Sequence, residues 1–221
     1  MLMNSKKFNV YKSAIYCYII SGLLLVAGLV MGIVLGLNSS ISISGSTILN
    51  NVLAVIIFGL IALIYFSIKY SFYVGFATLL AVFHNTMLVT ALVAIIRIPV
   101  EESFMMVLLA VCTITVVMCA MILGDKRTDY HKTTDRENLV NELMASKLKS
   151  ILWVFGSLLV VTIAFIFTFE ASMLNIIRPL LVGLVVCLYS SVFMVTPFWG
   201  YFVKEKKVRK QVNLEEQDYV K

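Results

Sequence analysis

Three groups of polar residues stand out in an otherwise apolar chain, and each points to a different chemistry. His84-Asn85 sets a titratable imidazole beside an amide that adds a donor and an acceptor but no second titratable group. Tyr189-Ser190-Ser191, followed by Thr196-Pro197, supplies hydroxyls suited to hydrogen bonding between helices or around a small solute. The third group lies in the segment 124–150. There Thr134-Asp135-Arg136-Glu137 fits a capping box, with Thr134 as N-cap and Glu137 at N3. Leu139, Val140, Leu143, Met144 and Leu148 then recur at helical spacing, with Asn141, Glu142 and Lys149 between them. That pattern reads as an amphipathic helix lying on a membrane surface and feeding the next span. Its six basic and five acidic residues suit a protein contact at least as well as a lipid one. The sequence contains no phosphate-binding loop, no nucleophile elbow, no carboxylate pair inside a span and no Cys/His spacing of a metal site. The expectation is a protein without enzymatic activity, cofactor or metal. Cys17, Cys112, Cys119 and Cys187 fall within apolar stretches and read as small buried hydrophobes.

The elements that must position these groups are set by charge. Residues 13–68 carry no Lys, Arg, Asp or Glu, and neither do residues 70–96, 103–124, 150–169 or 179–203. A charge at the centre of a bilayer costs roughly 2.5–3.5 kcal/mol on insertion scales, so such runs identify lipid as the solvent. Composition agrees: 61% of the 221 residues are hydrophobic and 14% charged, against roughly 45–50% and 25% in soluble domains. At about 20 residues per crossing, the runs supply six spanning helices. The long first run divides at the polar stretch Asn38-Ser39-Ser40 to Asn50-Asn51. The expected fold is all-α, a polytopic bundle with spans at 14–36, 51–68, 72–96, 103–123, 151–169 and 175–202, forming a membrane domain over 1–203. Residues 204–221 form a charged tail. Counting about 1.5 Å per residue from Phe72 places His84 near the middle of a ~30 Å core. The cluster at Tyr189–Ser191 falls at a similar depth, where it could meet His84-Asn85 across a helix interface. The plainer alternative for each residue is interhelical hydrogen bonding.

Basic residues set the orientation. With six crossings, the N-terminus (Lys6, Lys7, Lys12), Lys69, the 124–150 loop and the C-terminal tail share one side, which then holds 16 of the 18 Lys and Arg residues and leaves Arg97 and Arg178 opposite. The positive-inside rule places both termini in the cytoplasm. The formal charge of +6 fits that topology together with attraction to anionic lipid at the cytoplasmic face. No aromatic interleaving in Lys204–Lys210 suggests nucleic-acid binding. The first apolar stretch, 14–37, exceeds the 7–15 residues of a signal-peptide core and reads as an uncleaved anchor. Within it, Gly28, Gly32 and Gly36 repeat at i+4 and define a face for close helix approach, from this chain or from a partner. Gly183 and Cys187 form a weaker small-residue pair in the last span.

This layout resembles SecF, the membrane subunit of the bacterial SecDF protein-export complex. The likeness rests on residues 178–199: Arg178-Pro179, Gly183, Tyr189-Ser190-Ser191-Val192-Phe193 and Thr196-Pro197-Phe198-Trp199 are similar to that family's last-helix pattern. Tyr65-Phe66-Ser67-Ile68-Lys69-Tyr70 resembles its basic-aromatic turn between spans two and three. His84-Asn85 stands where the family has a His-Asp pair, Asp125-Lys126-Arg127 where a motif closes span four, and Lys149-Ser150 where an Arg opens span five. The resemblance covers about residues 52–203. Two departures bear on function. The 14 residues from Leu37 to Asn50 are too few for the family's extracytoplasmic domain, and the run Cys112–Cys119 lacks its intramembrane acid. The resemblance implies an accessory subunit of the export machinery in a bacterial cytoplasmic membrane. It would act as a helix-packing scaffold without proton coupling, beside a SecD-like subunit and a SecY-type channel. The alternative is a small-solute or ion transporter with a midplane site at His84, Asn85, Tyr189, Ser190 and Ser191.

Overall fold

The computed structural model describes residues 9–36, 45–101, 103–124, 136–168 and 173–202. Among them run α1 (Val10–Val34), α2 (Gly45–Lys69), α3 (Phe72–Ile96), α4 (Phe104–Leu123), α5 (Arg136–Thr168), α6 (Leu174–Phe193) and α7 (Val195–Phe202). Six of the helical stretches are long and apolar enough to cross a membrane, with α6 and α7 together making the sixth. A helix of 25 residues, such as α3, is about 37 Å long and covers a ~30 Å hydrocarbon core. The all-α, six-span architecture expected from the charge-free runs is therefore the one observed.

The helices divide into an inner and an outer set. Helices α3, α4 and the α6–α7 stretch are the most buried and carry the core, including Val82, Val89, Val111, Cys119, Leu184 and Trp199. Helices α1, α2 and α5 pack around them and turn Ile, Leu and Val side chains outward. Outward apolar faces are what a hydrocarbon solvent requires, because lipid tails are as apolar as Leu. Both α1 and α2 pack extensively on α3, but they hardly touch each other.

Each end of the bundle is tied by polar contacts. At the end that carries the start of α1, the amide of Asn141 donates to Asn9 (3.1 Å) and its oxygen accepts from the Tyr11 backbone N–H (3.1 Å). Glu137 accepts from Asn9 and pairs with Lys12 (3.2 Å). Tyr201 of α7 lies against Tyr11, with ring centroids 5.8 Å apart. The α2–α3 turn reaches the same end, where Lys69 donates to the Tyr65 hydroxyl (2.9 Å) and lies over the rings of Tyr65 and Tyr70. At the other end, Arg97 donates to the carbonyls of Gly36 (2.6 Å) and Leu35 (3.3 Å), placing a cation on the negative end of the α1 dipole. Arg97 adopts φ 60°, the left-handed conformation of a helix cap. Asn175 at the start of α6 donates to Glu101 (2.6 Å).

Two expected elements differ in form. The amphipathic segment and span five are one unbroken helix of 33 residues. The apolar face of its first turns is not laid on a membrane surface: Val140 and Met144 are fully buried within the protein. Thr134, the expected N-cap, lies outside the described residues. The sixth span breaks at Met194, three residues before Pro197. A proline cannot donate to the carbonyl four residues back, here Phe193, and its ring crowds that turn.

Candidate functional site: two polar seams

Adjacent residues on a helix point about 100° apart, so His84 and Asn85 cannot face the same neighbour. His84 turns toward α1 and α7. Its Nε2 shares a hydrogen bond with the Ser21 hydroxyl at 3.0 Å, and its ring meets the Phe198 ring edge-on at 6.1 Å. Phe198 in turn stacks on Tyr18, centroids 5.0 Å apart. Tyr189 of α6 closes the same seam by donating to the Cys17 carbonyl at 2.7 Å. A lone serine in an apolar run shows no pattern, so Ser21 is a partner that sequence reading misses.

Asn85 turns the other way, into the junction of α3, α4 and α6. Its amide nitrogen donates to the Thr115 hydroxyl at 2.9 Å, and that hydroxyl donates to the Val111 carbonyl at 2.8 Å. Cys187 of α6 lies 3.6 Å from the same hydroxyl. Thr86 donates to Val82 (2.6 Å) and contacts Cys112 Sγ at 3.6 Å. Three of the four cysteines are thus buried groups in this second seam or beside it, all of them as free thiols. Ser190, one turn beyond Cys187, is fully buried, and neither its hydroxyl nor the Asn85 side-chain oxygen has a hydrogen-bond partner among the described residues. Ser191 and Thr196 are also buried. Of the five candidate residues, His84 and Tyr189 therefore face α1 and Asn85 faces α4.

The small residues lie where backbones meet. A Cβ at Gly28 would stand 2.3 Å from Ala91 Cβ and 2.5 Å from its Cα, so α1 rests directly on α3 there. Gly32 has nothing within 4 Å of that position, and Gly36 has φ +65° just beyond the end of α1. A Cβ at Gly183 would stand 2.5 Å from Val111 Cγ2 of α4, which makes the second small-residue face an internal seat for α4. Of the other motif positions, Lys149 and Arg178 are exposed and Pro197 is buried, while Asp125 and Arg127 lie outside the described residues.

Six apolar helices joined by hydroxyl, amide and imidazole contacts define a multi-pass membrane protein, and the comparisons place it more narrowly. The family model described as protein export membrane protein SecD/SecF, C-terminal, matches residues 39–205, which span α2 to α7. The chain belongs to this family of protein-export membrane proteins. No curated protein and no solved structure matches it.

Proposed function

We propose that this chain is an accessory subunit of the export machinery, acting as a helix-packing scaffold beside a SecD-like subunit and a SecY-type channel, without proton coupling. The observation that carries the reading is the family match across five of the six spans. The outward apolar faces of α1, α2 and α5 provide area for partner helices. The spans contain no Asp or Glu that could pass a proton through ~30 Å of hydrocarbon, and the imidazole of His84 is engaged with Ser21. The basic residues gathered on the side of the termini support a cytoplasmic placement in a bacterial membrane and contact with anionic lipid there.

The test is purification in mild detergent with identification of associated membrane proteins, followed by reconstitution of the isolated chain in vesicles containing a pH-sensitive dye. The expected outcome is recovery of SecD-like and SecY-type partners and no proton flux under an imposed gradient. A chain recovered without any membrane partner overturns the scaffold role. A flux abolished by His84→Ala overturns the absence of coupling.

A further inference from the structure

Buried hydroxyls in this bundle commonly bond their own helix. Thr78, Thr86 and Thr115 each donate to the carbonyl four residues before, at 2.6–2.9 Å. Ser190 is an exception. It is fully buried in α6, and its hydroxyl has no hydrogen-bond partner among the described residues. The same holds for the side-chain oxygen of Asn85, a residue only 1% exposed. A buried polar group inside a membrane protein has no solvent to turn to, so leaving it unsatisfied is costly. The two groups belong to one junction. Gly183 of α6 faces the groove between α3 and α4, where a Cβ would stand 2.5 Å from Val111 and 3.9 Å from Val89. Ser190 follows seven residues later, about 20° short of two full turns, and so faces the same groove. Its level is fixed from both sides. Gly183 lies at Val89 and Phe198 at His84, and Ser190 falls between them, beside Asn85. Cys187, on the adjoining turn of α6, is 3.6 Å from the Thr115 hydroxyl to which Asn85 donates. Short side chains make room at this point: Ser190 itself, and buried Ala81 one turn before Asn85 on the same face of α3.

We propose that one enclosed water molecule bridges Asn85 and Ser190 and ties α3 to α6 inside the bundle. The inventory of donors and acceptors selects water. The Asn85 oxygen needs a donor, which an anion cannot supply. A hard cation takes roughly 6–8 oxygen ligands, and two neutral oxygens without a carboxylate are too few. Water donates to the amide oxygen and accepts from the serine hydroxyl, and buried waters hold otherwise unsatisfied groups in this way. Turning the Asn85 amide over presents its NH2 group instead, which the same water accepts from. The site is independent of the scaffold role, and its test uses the purified full chain alone.

The experiment joins X-ray hydroxyl-radical footprinting with thermal melting in detergent. An X-ray pulse makes radicals from bound water as well as from bulk, and fully buried Cys187 is out of reach of the bulk. Oxidation of Cys187 is expected in the wild type, with a several-fold fall in Ser190→Ala. Ser190→Ala should also lower the melting temperature by about 2–4 °C. In an Asn85→Leu background the loss should be less than half as large, because the bridge is already gone. Cys187 left unoxidised in the wild type overturns the proposal, and oxidation undiminished in Ser190→Ala places any water elsewhere and overturns it too. So does a Ser190→Ala protein that melts at or above the wild type, the result of removing a hydroxyl that bonds nothing. Equal losses in the two backgrounds show that Ser190 bonds its own helix, and also overturn the bridge. The footprinting needs no Asn85 variant, so it decides the matter even where Asn85→Leu does not fold.

Discussion

Gly28 and Gly32 are one helical turn apart and chemically identical, yet they hold different positions in the fold. Gly28 lets α1 rest on the backbone of Ala91, while a Cβ on Gly32 would meet nothing within 4 Å. Replacing a helical glycine by alanine gains up to about 1 kcal/mol in propensity, and overpacking a close contact costs typically 1–3 kcal/mol. Gly28→Ala should therefore lower the melting temperature in detergent, and Gly32→Ala should leave it unchanged or raise it. Equal melting of the two variants would show that α1 does not rest on α3 through Gly28. The sequence marked the glycine stripe but could not say which glycine meets a backbone, because that depends on the rotation of α1 about its axis. The polar residues behave in the same way. His84, Asn85 and Tyr189 are visible as rare polar residues in apolar runs, whereas Ser21, Thr115 and the Cys17 carbonyl become partners only when helices distant in sequence meet. Arg97 could be read as a topology marker, but its grip on the end of α1 could not.

Among the elements, α5 departs furthest from a simple span. Its 33 residues make about 50 Å of helix, some 20 Å more than the ~30 Å core requires. The excess is the stretch that begins at Arg136, and its apolar positions pack on protein: Val140 and Met144 are fully buried, and a Cβ on Gly200 of α7 would stand 2.6 Å from Val140 Cγ2. Asn9, Lys12 and Glu137 add polar contacts around it, but an exposed ion pair contributes at most about 1 kcal/mol. Burial of Val140 and its neighbours must therefore do most of the holding. Val140→Asp should strip this segment from α1 and α7, because an unpaired buried carboxylate costs several kcal/mol. Limited proteolysis should then cut near residue 140 much faster than in the wild type, whereas Glu137→Gln should change the rate little. If the two variants are cut alike, the burial argument fails. The helical spacing of Leu139 to Leu148 is plain in the sequence. Its fusion to the next span is not, since Lys147, Lys149 and Ser150 read as a boundary although none of them interrupts a helix. The break at Met194 is legible from Pro197 to within a turn, as a proline acts on the turn before it.

At the scale of the whole molecule, the two ends of the bundle differ in charge, and the positive-inside rule turns that difference into an expected direction in the membrane. The start of α1 with Lys12, the α2–α3 turn with Lys69 and the first turns of α5 with Lys147 and Lys149 all belong to one end, to which the sequence adds Lys204–Lys210. The opposite end holds Arg97 and Arg178, and the guanidinium of Arg97 is bound to the end of α1 rather than presented outward. Insertion follows the distribution of Lys and Arg in short flanking segments, with Asp and Glu contributing little. Glu137 beside Lys12 therefore does not weaken the bias. A cysteine introduced at Asn138, on the exposed side of α5, is expected to resist a membrane-impermeant maleimide in intact cells and to react once they are permeabilised. A cysteine at the exposed Met173, one helix further along and at the other end, is expected to react in both. The reverse pattern would place 16 of the 18 basic residues outside. It would also put the α2–α3 turn, the projecting part of α5 and the charged tail on the side away from the cytoplasm, and the proposed arrangement with a SecY-type channel would have to be inverted.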